Sequence, residues 1–166
     1  FGEDGVKPFI DVAVADDKGV FVLVRTSNPS AAALQDAILR DGRKLHEVMA
    51  ALVAEWAADP ETLGACGYSC VGAVVGTRDP DDAARLRAAM PQSILMAPGY
   101  GAQGGTVNDL KPYFKSDGQG AIVVAGRSVI FAHQEPRYVE QFGTAWEKCV
   151  EQACKDFVAD VNKAIQ

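Results

Sequence analysis

The sequence predicts an α/β protein built on a parallel sheet, and two observations carry that prediction. Short apolar runs, valine-rich in three of the four cases, recur along the chain, and segments with the 3-and-4 spacing of an amphipathic helix lie between them. Strand, helix, strand, helix, four times over, means right-handed βαβ units. Ligands of such sheets sit at the carboxyl ends of the strands, so the loops that follow the strands are where function is to be sought.

The opening residues, Phe1 to Asp11, read as the middle of something longer rather than as a start. The first strand is expected over Val20 to Val24, followed by the loop Arg25-Thr26-Ser27-Asn28-Pro29. Leu45, Val48, Met49, Leu52, Val53 and Trp56 then share one face of a helix. The second strand, Val71 to Val75, ends in the loop Gly76 to Asp79. Asp79-Pro80-Asp81-Asp82 supplies a capping aspartate, a proline at the first helical position and acidic residues in the first turn, which fixes a helix start. The third strand, Ser93 to Ala97, runs into Pro98-Gly99-Tyr100-Gly101-Ala102-Gln103-Gly104-Gly105. The fourth, Ala121 to Ala125, runs into Gly126-Arg127-Ser128. A single long helix is expected from about Tyr138 to Ile165, with Val139, Phe142, Trp146, Val150, Ala153, Phe157, Val161 and Ile165 along one side as a packing stripe. All four strands are continuous apolar runs, the pattern of parallel strands buried on both faces.

The totals bound the function. With 166 residues, 48% hydrophobic and 23% charged, the chain fits one soluble domain over 1–166. A net charge of −6 argues against a nucleic-acid or anionic-membrane surface, and any anionic ligand must be gripped locally. No apolar run reaches the roughly 20 residues that span a bilayer and no signal sequence opens the chain, so a cytoplasmic protein is expected. Cys66, Cys70, Cys149 and Cys154 miss the tight pairs of zinc and redox sites and are expected to be buried, reduced thiols; no metal site is expected.

The glycine-rich loop has the character of a phosphate grip. Its four glycines allow positive φ and close backbone approach, and a helix after it would present unpaired N–H groups to an anion. Its spacing matches neither a Walker loop nor a dinucleotide fingerprint. Arg127 would stand at the same sheet edge. Turn chemistry accounts for the Gly, Pro, Ser and Asn of the four loops but not for Arg25, Arg78, Gln103 and Arg127.

Taken together, Phe21-Val22-Leu23-Val24-Arg25-Thr26-Ser27-Asn28-Pro29, Val74-Val75-Gly76-Thr77, Pro98 to Gly105 and Gly126-Arg127-Ser128-Val129-Ile130 resemble the second half of an orotidine 5′-monophosphate decarboxylase of the bacterial-type branch, over essentially the whole chain. The resemblance implies a TIM (β/α)8-barrel of which this chain supplies about the last four β/α units. It also implies conversion of orotidine monophosphate to uridine monophosphate and CO2 in pyrimidine biosynthesis, with no cofactor and with a homodimer as the assembly. By the same resemblance Gln103 and Arg127 hold the 5′-phosphate, helped by the backbone N–H groups of Gly126 and Arg127, and Ser27 contacts the pyrimidine edge. Arg25 and Arg78 are expected in structural ion pairs, and Thr26 and Asn28 to shape the turn. The family's Lys/Asp signature, DxKxxD, has no counterpart here: Asp16-Asp17-Lys18 reads as a turn and Lys155-Asp156 as part of the terminal helix. The catalytic groups are therefore expected on an N-terminal half of the barrel. The alternative is a non-catalytic nucleotide- or phosphate-binding half-barrel. A sugar-phosphate or indole-acting barrel is a third reading, against which the Thr26-Ser27-Asn28-Pro29 phrase speaks.

Overall fold

A computed structural model describes residues 2–76, 79–99, 101 and 106–165. The chain opens with a helix, α1 (Glu3–Ala15), and continues β1 (Val20–Arg25), α2 (Ala32–Gln35), α3 (Leu45–Ala57), β2 (Val71–Val75), α4 (Pro80–Ala89), β3 (Leu95–Pro98), α5 (Val107–Leu110), β4 (Ala121–Val124), α6 (Arg127–Ile130), α7 (Pro136–Phe142) and α8 (Trp146–Ala164). The strands pair in parallel in the order β1-β2-β3-β4, with Val20 beside Val71, Ala73 beside Leu95 and Leu95 beside Ala121. A sequential order has no point at which the sheet reverses direction, which separates it from doubly wound sheets.

Side-chain alternation divides the sheet into two faces. One face carries Val24, Val71, Ala73, Val75, Leu95 and Ala97 into a core with Ile10 of α1, Met49 and Val53 of α3, and Leu86 of α4. On the other face Phe21, Leu23, Ile122 and Val124 are exposed, Leu23 by 56%. The expectation of strands buried on both faces is thus corrected for β1 and β4. They are the outer strands of a sheet that the described residues cover on one side only, so every second residue of these two strands meets solvent. The open face still packs locally: a Cβ on Gly72 would lie 2.6 Å from the Phe21 ring and 2.8 Å from the Ile94 carbonyl oxygen, so the strand accepts only glycine there.

Asp79 caps α4 by accepting from Asp81 N, with Pro80 at the first helical position, as the sequence predicts. The single terminal helix does not form. Gly143 at φ +61 closes α7, and α8 begins three residues later. That break leaves Val139 and Trp146 exposed while Cys149 and Ala153 pack with Ala132 and Tyr138 in a second small core. Only Cys149 of the four thiols is buried; Cys66 and Cys154 are exposed and Cys70 is half-buried, because Cys66 lies on the turn before β2 and Cys154 on the outer side of α8. Asp17, at φ +52, lies in the tight turn between α1 and β1, as its sequence suggests. Among the described residues no helix is long and apolar enough to cross a membrane.

Candidate functional site

At the end of β1 the Arg25 guanidinium turns back onto Asp36, donating to both carboxylate oxygens at 2.8 and 3.2 Å. A second carboxylate, Asp82 of α4, lies 3.8 Å from its Nε. Arg25 is therefore neutralised inside the fold, as expected of a structural pair. Its guanidinium holds the Asp36 carboxyl below its ordinary value of 3.8, chiefly through those two hydrogen bonds. His46, only 1% exposed, stands between the same two acids, 3.4 Å from Asp36 and 3.5 Å from Asp82. Its Nδ1 lies 2.8 Å from the Gln35 carbonyl oxygen, which can only accept, so Nδ1 carries a hydrogen.

Above this cluster the loop that follows β1 is held by its own side chains. The Thr26 hydroxyl donates to Asn28 Oδ1 at 2.6 Å, and the Asn28 amide donates to Ser30 Oγ at 3.0 Å. Thr26 and Asn28 thus shape the turn. Between them Ser27 is half-buried and leans over the end of β2. A Cβ on Gly76 would lie 3.2 Å from Ser27 N, 3.4 Å from its Oγ and 3.1 Å from Pro98 Cγ, so glycine at position 76 lets the ends of β1, β2 and β3 close together. Arg25, Ser27, Asn28, Gly76 and Asp79 line a cleft of about 360 Å³ there.

The ends of β3 and β4 meet in register, Pro98 beside Val124. Beyond them the glycine-rich loop is described at Gly99 (φ +101) and Gly101 (φ +72), both in the left-handed region that glycine tolerates best. Gly101 touches down on α6: a Cβ there would be 3.1 Å from both Cβ and Oγ of Ser128. Gly126 precedes the first turn of α6, its carbonyl accepting from Val129 N and Ile130 N at 3.0 and 2.9 Å. Arg127 is exposed, and with Gly101, Ser128, Gln134 and Arg137 it lines a cleft of about 450 Å³. The described part of the glycine-rich loop and the Gly126-Arg127-Ser128 turn therefore lie together, and Ser27 stands along the same carboxyl edge. Gln103 and Arg78 lie outside the described residues.

Behind this edge Tyr138 donates to Asp156 at 3.0 Å, and burial together with that bond pushes the phenol up to about 12. A third cleft, between α1 and the end of α3, is lined by Glu3, Asp11, Glu55, Asp59 and Glu61 with Lys7 as its cation. Its charge is wrong for an anionic ligand. Gln35, Asp36 and His46 were not singled out in the sequence, and Asp82 only as an acidic residue in the first turn of α4. Asp36 and Asp82 meet Arg25, Gln35 meets Thr26 and His46 meets the two acids, all across nine residues or more, and no spacing signal joins them.

A family model described as "Orotidine 5'-phosphate decarboxylase / HUMPS family" matches residues 1–142. The orotidine 5′-phosphate decarboxylase of Caldicellulosiruptor bescii is 42% identical over 164 residues, covering 99% of this chain and 51% of the relative. That of Rhodopirellula baltica is 41% identical over 157 residues, covering 92% and 50%. Among solved structures, Leishmania donovani OMP decarboxylase superposes with a TM-score of 0.66 at 26% identity, covering 97% of this chain and 54% of that one. Leishmania donovani UMP synthase gives 0.65 at 32% identity, covering 92% and 30%. The fold is accordingly that of a TIM (β/α)8-barrel, with this chain supplying about the last four β/α units. The chain spans about half the length of the curated relatives it matches.

Proposed function

Because the chain belongs to the orotidine 5′-phosphate decarboxylase / HUMPS family, we propose that it carries the phosphate and base grip of an orotidine 5′-monophosphate decarboxylase. The observation that carries this reading is the seating of Gly101 on Ser128 beside Arg127, with Ser27 on the same sheet edge. Arg127 offers a planar fork of donors to two phosphate oxygens, and the first N–H groups of α6 have no acceptor within the helix. Gln103 adds neutral donors from the glycine-rich loop. Ser27 meets the pyrimidine edge.

In this reading phosphate binding far from the breaking bond supplies free energy used to close loops and to hold the substrate carboxylate in an unfavourable place. CO2 leaves C6 of the pyrimidine, and a lysine protonates the resulting carbanion-like centre without any cofactor. That lysine and its aspartate partners come from the N-terminal half of the barrel. Within this chain the near matches are otherwise engaged: Lys155 pairs with Glu151 at 2.6 Å, and Asp17 is in a turn. Residues 1–166 act as one domain of a cytoplasmic homodimer, and the open apolar face with Phe21, Leu23, Ile122 and Val124 is where the other half of the barrel closes.

The test is reconstitution. Orotidine monophosphate should turn over when this chain is combined with a polypeptide covering the remaining half of a relative's length, and not with this chain alone. Arg127→Ala should weaken nucleotide binding by about 1.5–3 kcal/mol, the range for a hydrogen bond to a charged group. Turnover by the chain alone, or no effect of Arg127→Ala, would overturn the proposal.

A further inference from the structure

The residue before Ser27 is tied twice to one side chain nine residues downstream of it. The Thr26 backbone N–H donates to Gln35 Oε1 at 3.0 Å, and Gln35 Nε2 donates back to Thr26 Oγ1 at 3.0 Å. From there the relay continues through the Thr26 hydroxyl to Asn28 and Ser30. Gln35 is itself fixed twice. Its carbonyl oxygen accepts from buried His46, and its neighbour Asp36 takes both arms of Arg25, the last residue of β1. The loop is thus closed at its base by Arg25–Asp36 and at its first residue by Gln35.

Hydrogen bonds among partly exposed side chains add little net stability, since water would satisfy the same groups. What they do is restrict backbone and rotamer freedom, the kind of ordering that must be in place before a ligand-contacting group can act at full strength. We propose that Gln35 and Asp36 are positioning residues for Ser27, setting its hydroxyl against the base edge of the bound nucleotide. This inference rests on the reading of the site given above. Gln35 acts through Thr26, and Asp36 acts by anchoring the loop to the end of β1.

The experiment compares the full 166-residue chain with Gln35→Ala, Asp36→Asn and Ser27→Ala. Two ligands are titrated, uridine monophosphate and ribose 5-phosphate, which lacks the base. Amide hydrogen exchange is followed without ligand. Gln35→Ala should speed exchange at Thr26 and Ser27 while β2 is unchanged. It should weaken uridine monophosphate about tenfold, the scale of a lost charged or buried hydrogen bond, and leave ribose 5-phosphate unaltered, matching Ser27→Ala. Asp36→Asn should act in the same direction. Equal losses for both ligands would mean a merely structural role and overturn the proposal, as would unchanged exchange at Thr26. If the unmodified chain binds neither ligand, the reading of the site itself fails and the proposal falls with it; binding that survives Gln35→Ala sinks the proposal alone.

Discussion

Gly101→Ala isolates the contact on which the proposed phosphate grip depends. At φ +72 an alanine is in the left-handed region, which costs an L-residue about 1–2 kcal/mol. Its Cβ would also stand 3.1 Å from Ser128 Cβ, closer than an ordinary van der Waals contact, so α6 and Arg127 with it must retreat by a few tenths of an ångström. The backbone strain of about 1–2 kcal/mol alone corresponds to a 5- to 30-fold smaller population of seated loop, and uridine monophosphate affinity should fall by at least that factor. Calorimetric titration reads it directly. Ser128→Gly in the same chain removes the atoms in the way but leaves the backbone strain, so it should restore part of the loss and not all. Affinity of Gly101→Ala within about twofold of the unmodified chain would refute the reasoning, because a difference that small is under 0.5 kcal/mol.

Other consequences are as direct. Arg87, 8% exposed, donates to the carbonyl oxygens of Gly120 at 2.9 Å, Ser93 at 2.8 Å and Met90, joining the entries to β3 and β4. Arg87→Met should lower unfolding free energy by about 2–4 kcal/mol in urea titration, three lost charged bonds offset in part by the burial cost of the guanidinium. Asp36 has a lowered folded-state pKa, so its contribution is complete above its ordinary value of 3.8 and is lost as pH falls through the lower folded value; the stability difference between the chain and Asp36→Asn should shrink in acid. Thiol labelling of the native chain should modify Cys66 and Cys154 quickly, Cys70 slowly because burial raises its pKa, and Cys149 only on unfolding.

Much of the frame was legible because it is local. Short apolar runs located β1 to β4 within two residues, and Asp79-Pro80 located the start of α4. Three misjudged features have physical reasons. Proline at position 8 masked α1, whose helix absorbs the lost bond to the carbonyl four residues earlier. The apolar stripe runs on both sides of Gly143 and by itself joins α7 to α8, although a glycine that can take positive φ is a stop signal for α7. Continuous apolar runs do not tell a covered face from an open one, so exposure at Leu23 and Ile122 could not be read from them. The placement of Ser27, Gly126 and Arg127 at the carboxyl edge of the sheet was legible from the strands they follow. Gln35, Asp36 and His46 were not, since their meaning comes from contacts that only the folded chain makes.

The most direct measurement of the central claim is a residue-by-residue amide shift map of the 166-residue chain titrated with uridine monophosphate. Shifts that saturate together at Gly126, Arg127, Ser128, Gly101 and Ser27 are the predicted result. Shifts confined to the acidic groove of Glu3, Asp11 and Glu61, or none at the carboxyl edge of the sheet at saturating nucleotide, would contradict it.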